Sequence, residues 1–425
     1  MQLRPWNMPL KGRIRPPSDK SITHRGVLFS ALARGVTEIH DPLDSKDTAA
    51  SLAVVQNLGV RLLERTSQRW ILDSPGFNDW QEPRTVIDCL NSGTTMRLST
   101  GLLAGAKFLT VLTGDDSLRE RPMARVMDPL RDLGVDIRGR MGGKAPLVIH
   151  GGPHRGGVVR LSLASAQVKS AVILAGLTAD EPLTIHELLP TRDHTERLLR
   201  EMGASLQMAP GSITVTPGPV APLTLSVPGD PSSGAYWAAL AVLLEGSELV
   251  IEGVSLNPGR IGFYQVLRNM GAEVTMTPRQ IAPEPMGDIR IGWSPLQGIH
   301  IGPEMVPGLI DELPLVALLA AHAEGTTRVS GAGELRVKES DRIRTTVDNL
   351  QGLGIAIEER PDGFVVAGGQ RVGGGVANAR GDHRIAMMLA VAGAVAQAPV
   401  ILEGADAIGI SYPNFFEDYW RFSGA

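Results

Sequence analysis

The sequence predicts an α/β protein of two domains with similar build, each containing three repeats whose helices form the core and whose sheets lie outside. Two observations predict this fold class: a pattern of helix, strand, turn and strand that recurs five times, and an apolar, alanine-rich helix that recurs six times. The length of 425 residues agrees with them, because a chain of this size exceeds one ordinary hydrophobic core.

The first pattern is an amphipathic helix that ends in Leu-Gly or Met-Gly and continues into alternating apolar and polar residues. Glycine adopts the left-handed conformation found after a helix C-terminus more easily than other residues. The alternation has the period of a strand, and after a turn a second short strand such as "RWILD" or "SITVT" is predicted. The five glycines lie roughly 70 to 80 residues apart, at Gly59, Gly134, Gly203, Gly271 and Gly354.

The second pattern is a helix rich in alanine and other small residues that precedes a strand, as in "YWAALAVLL" and "IAMMLAVAGAVA". Because these helices are apolar on all faces, they are predicted to be buried against one another. Six copies divide into three and three. The sixth copy has no closing helix, strand and strand, so the N-terminal segment is predicted to complete its domain. One domain would then comprise residues 1–19 and 228–425 and the other 20–227, with crossovers near 18–20 and 227–229.

A polar cluster lies directly before each of the six helices. The unpaired N–H groups and the positive dipole at a helix N-terminus attract phosphate or carboxylate, especially beside Lys or Arg. The clusters could also be plain N-caps, formed by Ser18, Ser92, Ser165, Ser232 and Asp311. A cap does not require a cation, however, and the clusters also contain Lys20, Arg25, Arg97, Lys169 and Arg384. If the helices of both domains begin at the interdomain cleft, these cations are predicted to surround a polyanionic ligand.

The stretch "LRVKESDRIR" is another charged segment. It places Lys338 and Arg342 four residues apart, with Glu339 on a neighbouring side of the same turn. This spacing suits the start of a helix. The segment is either a ligand-binding turn or a solvated helix face with ion pairs.

Two further segments carry charged residues at turns. Arg121 precedes a proline, so extended backbone is favoured there and a binding role is preferred over an ion pair inside a helix. In "TRDHTERLL", Thr191 is available to cap a helix, while Arg192 and His194 suit structural and functional roles equally.

The composition excludes several classes of function. Lys plus Arg number 41 and Asp plus Glu 45, and the resulting net charge of -4 lacks the basic excess of nucleic-acid-binding domains. The single cysteine, Cys89, permits no internal disulfide, and neither a signal segment nor an apolar run of about 20 residues occurs, so a cytoplasmic protein without membrane or nucleic-acid partners is expected. The sequence has neither a Cys/His cluster at metal spacing nor a glycine-rich nucleotide loop, so no metal or organic cofactor is expected.

Eight motifs, in one order, resemble those of the 5-enolpyruvylshikimate-3-phosphate synthases, the 3-phosphoshikimate 1-carboxyvinyltransferases among the enolpyruvyl transferases. The motifs extend over residues 16–388 and are "PPSDKSITHR", "NSGTTMRL", "RERPM", "SAQVKSA", "TRDHTERLL", "DELP", "RVKESDR" and "GDHRIAM". The resemblance implies two domains of three βαβαββ units each, an inside-out α/β barrel, that close on the substrates at a cleft. It also implies transfer of the enolpyruvyl group of phosphoenolpyruvate to the 5-hydroxyl of shikimate 3-phosphate, a glyphosate-sensitive step of the shikimate pathway to chorismate and aromatic amino acids.

The resemblance further implies which residues contact each substrate. Shikimate 3-phosphate would be bound by Lys20, Ser21, Arg25, Ser165, Ala166, Gln167, Thr191, Arg192, Asp311 and Lys338. Phosphoenolpyruvate would be bound by Lys20, Asn91, Gly93, Arg121, Gln167, Arg342 and Arg384. Ala166 can contribute only backbone groups. The chain departs from the family pattern at Ile410, where some members carry a lysine, and at Glu334, where some carry an asparagine, so it does not present those two side chains.

The implied reaction needs positioned acid and base groups. The methylene carbon of phosphoenolpyruvate is protonated, the 5-hydroxyl adds to the resulting cationic carbon, and phosphate leaves as a methyl proton is lost. Asp311 is predicted to accept the hydroxyl proton, and Lys20 and Glu339 are both candidates for delivering and recovering the other proton. Clustered Arg and Lys would stabilise the negative charges of the substrates.

Two other functions are open from the sequence alone. The sister transferase that acts on UDP-N-acetylglucosamine shares the architecture but usually uses a loop cysteine as acid, whereas Cys89 is expected to be a small buried residue at a strand end. The second alternative is a polyanion-binding protein without catalytic activity. Asp311 and Glu339 argue against it, because their carboxylates would repel an anion and lower its affinity. A monomer is expected, because two domains of one chain form a cleft without a partner subunit.

Overall fold

The computed structural model describes residues 1–424, which form thirteen α-helices and twenty-three β-strands. The helices are α1 (Lys20–Ser30), α2 (Lys46–Asn57), α3 (Gly93–Leu102), α4 (Asp116–Glu120), α5 (Ala124–Asp132), α6 (Ala166–Gly176), α7 (His194–Glu201), α8 (Pro231–Leu243), α9 (Gly262–Asn269), α10 (Leu313–His322), α11 (Arg342–Gly352), α12 (His383–Val395) and α13 (Phe415–Ser423). The strands are β1 (Gln2–Leu3), β2 (Lys11–Ile14), β3 (Gly35–His40), β4 (Arg61–Arg65), β5 (Arg69–Ser74), β6 (Ile87–Asp88), β7 (Leu109–Thr113), β8 (Asp136–Arg140), β9 (Lys144–His150), β10 (Gly157–Arg160), β11 (Leu183–His186), β12 (Ser205–Ala209), β13 (Ser212–Thr216), β14 (Thr224–Ser226), β15 (Glu248–Ser255), β16 (Val274–Gln280), β17 (Met286–Gly292), β18 (His300–Ile301), β19 (Thr326–Val329), β20 (Ile357–Arg360), β21 (Gly363–Ala367), β22 (Gly375–Asn378) and β23 (Val400–Glu403).

The chain divides into two compact units, each with its own hydrophobic core. The terminal unit comprises Met1–Pro17, Pro228–Ile281 and the chain from Pro285 onward. The central unit comprises Ser18–Val227 and the tripeptide Ala282–Glu284, which follows β16 and precedes β17 in the chain.

Five of the six sheets share one four-stranded pattern. In the order β6-β7-β9-β8, for example, β6 and β7 are parallel, and β9 pairs antiparallel with both β7 and β8. With α3 between β6 and β7 and α5 between β7 and β8, this is a βαβαββ unit. Five sheets have four strands in this pattern, whereas the sheet β1-β23-β22 has three. The predicted fold class, two similar domains of three such repeats, is confirmed.

Strands from distant parts of the chain complete three of the sheets. In the central unit, β14 follows the last repeat and pairs parallel with β3 of the first repeat. In the terminal unit, β2 pairs parallel with β15, and β1 pairs antiparallel with β23. The N-terminal segment therefore contributes to two sheets of the terminal unit.

The six alanine-rich segments form the buried helices α1, α3, α6, α8, α10 and α12. Every residue from Pro231 to Val242 of α8 is buried, as is every residue from His383 to Ala394 of α12. Small side chains permit such close packing, because a large residue on these faces would separate the helices. Among residues 1–424, none of the helices combines the length and apolar character that a membrane crossing requires.

The glycines predicted to end the amphipathic helices have the expected left-handed backbone. Their φ angles lie between 84° and 99°, at Gly59, Gly134, Gly203, Gly271 and Gly354. After each glycine the chain turns into the outer hairpin of its sheet, so this sequence signal sets the point where the helical layer gives way to the sheet.

Candidate active site

The sequence-predicted site residues of the central unit lie at the starts of α1, α3 and α6 and on the segments before α5 and α7. We call them the central cluster, and its members are Lys20, Ser21, Arg25, Asn91, Gly93, Arg121, Ser165, Ala166, Gln167, Thr191 and Arg192. Those of the terminal unit lie around the starts of α10, α11 and α12. We call them the terminal cluster, and its members are Asp311, Lys338, Glu339, Arg342 and Arg384.

Side-chain caps determine where two of the central helices begin. The Ser92 side chain accepts a hydrogen bond from the backbone N–H of Thr95 at the start of α3, and Ser165 does the same for Val168 at the start of α6. Both residues are therefore N-caps, one of the two roles that the sequence left open for them. Their caps place Gly93 and Ala166 as the first residues of the two helices.

At two helix starts an aspartate makes the cap, and not the serine that the sequence offered as a candidate. Asp19, not Ser18, caps α1, because its carboxylate accepts the backbone N–H of Ile22 at 2.9 Å. Asp230, not Ser232, caps α8. In both cases an aspartate one or two residues before or after the serine makes the capping bond, and the sequence does not rank the two residues, which are comparable caps.

Lys20 pairs with an acid that the sequence analysis missed. Its Nζ lies 3.1 Å from Asp47 Oδ2, and the two side chains are 15% and 11% exposed. Asp47 lies in the first turn of α2. Because any helix start favours an acid there, the sequence carries no signal that distinguishes Asp47. The pair occupies one of three ammonium donors, so Lys20 retains the capacity to donate to a ligand.

Arg25 lies within α1 and is almost completely buried, with 3% exposed. Its Nε donates to Thr195 Oγ1 at 2.8 Å, its Nη2 to Ser170 Oγ at 2.8 Å and its Nη1 to the carbonyl oxygen of Ser21 at 3.0 Å. Burial lowers the pKa of the guanidinium to about 10, so Arg25 is still a cation at neutral pH. No signal in the sequence distinguishes Thr195 or Ser170, since short hydroxyl side chains in a helix are common.

Asn91, Gly93 and Arg121 lie together at the start of α3. Arg121 Nη2 donates to Asn91 Oδ1 at 2.7 Å, and the Asn91 amide donates to Asp115 Oδ2 at 2.7 Å. Arg121 has extended backbone, as predicted, and is 7% exposed. A Cβ added to Gly93 would lie 3.4 Å from Arg121 Nη1. The three residues that the resemblance implies for phosphoenolpyruvate are thus neighbours.

Gln167 joins the starts of α3 and α6. Its Oε1 accepts from Arg97 Nη1 at 2.6 Å, and its Nε2 donates to Thr94 Oγ1 at 2.9 Å. Arg97 also lies 3.1 Å from the position of a Cβ on Gly93. Arg97 was one of the cations noted in the helix-start pattern, and the structure now places it beside residues that the resemblance implies for both substrates.

Lys169 does not belong to the cations that could contact a ligand. It is 1% exposed, and its Nζ lies 2.7 Å from Glu196 Oε1 and 3.0 Å from Glu187 Oε1. It also donates to the carbonyl oxygen of Thr191 at 3.3 Å. The prediction that Lys169 surrounds a polyanion is therefore wrong, because two carboxylates neutralise it inside the unit.

Thr191 does not cap α7, whose N-cap position is Asp193. Instead, the backbone N–H and the hydroxyl of Thr191 both donate to Glu187 Oε1, at 3.2 and 2.8 Å. These bonds hold the loop that carries Thr191 and the half-buried Arg192. The predicted cap is wrong because the loop turns back on Glu187 before the helix begins.

In the terminal cluster, Arg342 contacts three carboxylates and is 2% exposed. Its Nε donates to Asp382 Oδ2 at 2.8 Å, its Nη1 to Asp311 Oδ1 at 3.0 Å and its Nη2 to Glu339 Oε2 at 2.7 Å. Burial opposes the charge, but the carboxylates raise the pKa of Arg342 well above its ordinary value. The Asp382 side chain is fully buried, whereas those of Asp311 and Glu339 are 15% and 22% exposed. A ligand can therefore reach these two acids.

Lys338 and Arg342 do not share a helix turn, contrary to the prediction. α11 begins at Arg342 after the N-cap Asp341, and Lys338 has extended backbone at the end of a 3-10 turn formed by Gly333–Val337. Capping by Asp341 starts the helix four residues later than the charge spacing suggests. Lys338 Nζ still lies 3.6 Å from Asp311 Oδ1, so the predicted residues meet through tertiary packing.

Arg384 is the second residue of α12, which Asp382 caps. Its Nη1 lies 3.8 Å from Glu312 Oε1, and the side chain is 6% exposed. Burial opposes the charge, but Tyr236 and Asp311 hold the pKa of Arg384 above its ordinary value. Asp311 itself lies in the 3-10 turn Ile310–Glu312 and is not a cap, because Glu312 holds the N-cap position of α10.

The sequence singled out three further residues. Cys89 follows β6 and is fully buried, and burial raises the pKa of its thiol above the ordinary range, as expected for a small core residue rather than an acid catalyst. Ile410 ends the 3-10 turn Ala405–Ile410, and Glu334 lies in the turn before Lys338. Both side chains are half-buried.

The two clusters differ in charge. The central cluster contains four cations, namely Lys20, Arg25, Arg121 and Arg192, and this excess of positive charge suits a polyanion. The terminal cluster mixes two arginines and a lysine with carboxylates, which are the residue types that bind anions and transfer protons. Within residues 1–424, no three His, Cys, Asp or Glu side chains are grouped so that they could hold a metal ion.

Similarity to known proteins covers nearly the whole chain. Residues 6–419 match the family model described as EPSP synthase (3-phosphoshikimate 1-carboxyvinyltransferase). The chain is 46% identical over 416 residues to the 3-phosphoshikimate 1-carboxyvinyltransferase of Herpetosiphon aurantiacus, with 96% of each chain covered, and 45% identical over 421 residues to that of Persephonella marina, with 97% of each covered. It is also similar to the structure of EPSP synthase from Acinetobacter baumannii, with a TM-score of 0.88 and 37% identity over 99% of this chain and 97% of that one.

Proposed function

The chain belongs to the EPSP synthase family and transfers the enolpyruvyl group of phosphoenolpyruvate to the 5-hydroxyl of shikimate 3-phosphate, and we propose that residues of the central and terminal clusters bind and activate both substrates. The transfer releases phosphate and is a step of the shikimate pathway to chorismate and aromatic amino acids. The observation that supports the proposed sites most strongly is that motif residues far apart in the chain contact one another within each unit, as Arg121 contacts Asn91 in the central unit and Arg342 contacts Asp311 in the terminal unit.

Shikimate 3-phosphate is bound mainly by the central cluster in this proposal. Lys20, Ser21, Arg25, Thr191 and Arg192 supply cations and donors for the phosphate, and Ser165, Ala166 and Gln167 supply the start of α6. A helix N-terminus with adjacent cations is a strong phosphate site, because backbone N–H groups and charges act on the same oxygens. Asp311 and Lys338 contact the hydroxyl groups.

Phosphoenolpyruvate is bound by cations of both clusters in this proposal. Lys20, Asn91, Gly93, Arg121 and Gln167 act from the central unit, and Arg342 and Arg384 from the terminal unit. Arg342 already donates to three carboxylates with four of its five N–H groups, so a further anion would take the remaining Nη1 donor or compete with Asp311 or Glu339 for the others.

Asp311 is the proposed base for the 5-hydroxyl. Its carboxylate lies 3.0 Å from Arg342 and 3.6 Å from Lys338, so two cations of the terminal cluster orient it. Lys20 and Glu339 are the candidates for protonating the methylene carbon and later removing a methyl proton. The two differ in charge and in unit, and single variants of each distinguish them.

Two alternative functions are disfavoured. The family model and the relatives favour shikimate 3-phosphate over UDP-N-acetylglucosamine, and the buried thiol of Cys89 is unsuited to the loop cysteine of the sister transferase. A binding protein without catalysis would place acids near an anion at an electrostatic cost, whereas the terminal cluster has both Asp311 and Glu339. We further propose that the chain acts as a cytoplasmic monomer without nucleic-acid or membrane partners.

Replacement of Asp311 tests the proposed mechanism. We expect Asp311→Ala to bind shikimate 3-phosphate within about tenfold of the wild type but to turn over roughly 10² times more slowly, since loss of a general base commonly costs that much. Calorimetric titration measures the affinity, and phosphate release measures kcat. Asp406→Ala, which removes an exposed acid of the same unit, is the matched control and should leave kcat unchanged. Near-normal turnover of Asp311→Ala would remove Asp311 from the mechanism.

A further inference from the structure

The first turn of α7 contains three consecutive buried polar residues. His194 and Thr195 are 0% exposed and Glu196 is 1% exposed. Successive residues of a helix point about 100° apart, so burial of all three requires polar partners on several sides. His194 Nδ1 lies 2.7 Å from Glu284 Oε1, whose side chain is also fully buried, and Glu196 pairs with the buried Lys169 at 2.7 Å. The turn is therefore anchored on both sides of Thr195.

Thr195 is the member of this turn that contacts Arg25. Its Oγ1 accepts from Arg25 Nε at 2.8 Å and lies 2.6 Å from Ser170 Oγ, which accepts from Arg25 Nη2 at 2.8 Å. Ser170 donates its one hydroxyl proton to the carbonyl oxygen of Ala166 at 2.6 Å. The Thr195 proton must then go to Ser170, and both hydroxyl oxygens present lone pairs to the guanidinium.

These contacts determine which donors of Arg25 remain. A guanidinium has five N–H groups, and Thr195, Ser170 and the carbonyl of Ser21 accept one each. In the part of the chain that the structure describes, the remaining two, one on each terminal nitrogen, have no acceptor. Two N–H groups on adjacent nitrogens match two oxygens of a phosphate in a bidentate contact.

We propose that Thr195 is a positioning residue for shikimate 3-phosphate: together with Ser170 it holds the Arg25 guanidinium in the orientation in which the two remaining N–H groups face the phosphate. This inference rests on the proposed function, in which Arg25 binds that phosphate. Because Ala166 accepts the last proton of the chain of hydroxyls, the same network connects Arg25 to the start of α6, where the resemblance implies further contacts with this substrate. Thr195 contacts no substrate itself.

The test compares Thr195→Val with Thr195→Ser. Valine has the shape of threonine but cannot accept the Nε hydrogen bond, whereas serine keeps the hydroxyl. We expect Thr195→Val to raise both the Kd and the KM for shikimate 3-phosphate about tenfold, the order of one hydrogen bond to a charged group, with the KM for phosphoenolpyruvate and kcat within about threefold. Thr195→Ser should restore the wild-type values within about twofold. The same exchange at Thr110, a buried residue of β7 in the central unit, is the matched control and should leave the affinity unchanged.

Several outcomes would overturn the inference. It is wrong if Thr195→Val leaves the Kd for shikimate 3-phosphate within twofold, or if the KM values for both substrates rise equally, since a merely structural role predicts a general loss. If Thr195→Val does not fold, Ser170→Ala decides, because it removes the acceptor of Nη2 and should weaken shikimate 3-phosphate binding about fivefold. Arg25→Ala separates the two proposals. Unchanged affinity in that variant would overturn the role of Arg25 as well, whereas weakened affinity with a normal Thr195→Val would overturn only the positioning role.

Discussion

Gly93 shows how one residue can determine access to an anion site. It is the first residue of α3, and its φ lies outside the left-handed region, so a need for unusual dihedral angles does not explain the glycine. A Cβ at this position would instead lie 3.1 Å from Arg97 Nη1 and 3.4 Å from Arg121 Nη1. Glycine is therefore favoured here for steric reasons, since a methyl group would crowd two guanidinium groups.

We predict that Gly93→Ala weakens inhibition by glyphosate far more than it weakens binding of shikimate 3-phosphate. The family resemblance places glyphosate at the phosphoenolpyruvate position, and glyphosate is the bulkier of the two ligands. The added methyl group enters this position only, so the KM for phosphoenolpyruvate should rise by an intermediate factor. The inhibition constant and the affinities for both substrates measure the three effects.

The control for this prediction is Gly218→Ala. A Cβ on Gly218 meets no atom within 4 Å and its φ is also outside the left-handed region, so alanine should change neither stability nor inhibition. An unchanged glyphosate constant in a folded, active Gly93→Ala would contradict the assigned contact.

Single residues also show where prediction from sequence ends. The motifs predicted Lys20, Gly93 and Arg342 as site residues, and the structure places each at a helix start. The pattern of cations at helix starts put Lys169 in contact with the ligand, although it is buried between two carboxylates. The sequence around a helix start does not distinguish a buried, ion-paired cation from an accessible one, because the partner acids come from distant segments.

Helices α3 and α6 pack so closely that only glycine fits at one position of their contact. A Cβ on Gly101 of α3 would overlap the backbone carbonyl group of Ala171 in α6. Both helices begin at residues of the central cluster, so their separation also sets the spacing of Gly93 and Gln167. Glycine at position 101 therefore supports the geometry of the site as well as the core.

We predict that Gly101→Ala lowers the free energy of unfolding by about 3 kcal/mol, the order of an overpacked core position, because backbone atoms must move. Urea unfolding measures the change, and Gly218→Ala, again the control, should stay within about 0.5 kcal/mol of the wild type. If both variants unfold at the same urea concentration, the close approach of the two helices is refuted.

Element boundaries were predictable where one residue determines them. The five glycines that end the amphipathic helices adopt the left-handed backbone that the sequence predicts. Helix starts were less predictable, because several residues compete to cap. Asp19 replaces Ser18, and Asp341 delays α11 until Arg342. Which carboxylate caps the helix depends on the path of the preceding chain, and that path is determined only in the folded unit.

Internal repeats in the sequence made the architecture of the whole molecule predictable. The repeat count predicted three repeats in each of two domains, and the missing end of the sixth repeat predicted a contribution from the N-terminal segment, with which the pairing of β1 with β23 agrees. The sequence did not reveal that β14 pairs with β3, because a strand of three residues, Thr224–Ser226, has no clear period. The position of such a short strand is determined by the sheet with which it pairs, and not by its own sequence.

The measurement that tests the central claim most directly is phosphate release by the purified full chain. Phosphoenolpyruvate is supplied with either shikimate 3-phosphate or UDP-N-acetylglucosamine, and the organic product is identified by mass spectrometry. We predict phosphate and an enolpyruvyl ether of shikimate 3-phosphate in the first reaction and neither product in the second. Release with UDP-N-acetylglucosamine alone, or tight binding of shikimate 3-phosphate without any release of phosphate, would contradict the assignment of this chain as an enolpyruvyl transferase acting on shikimate 3-phosphate.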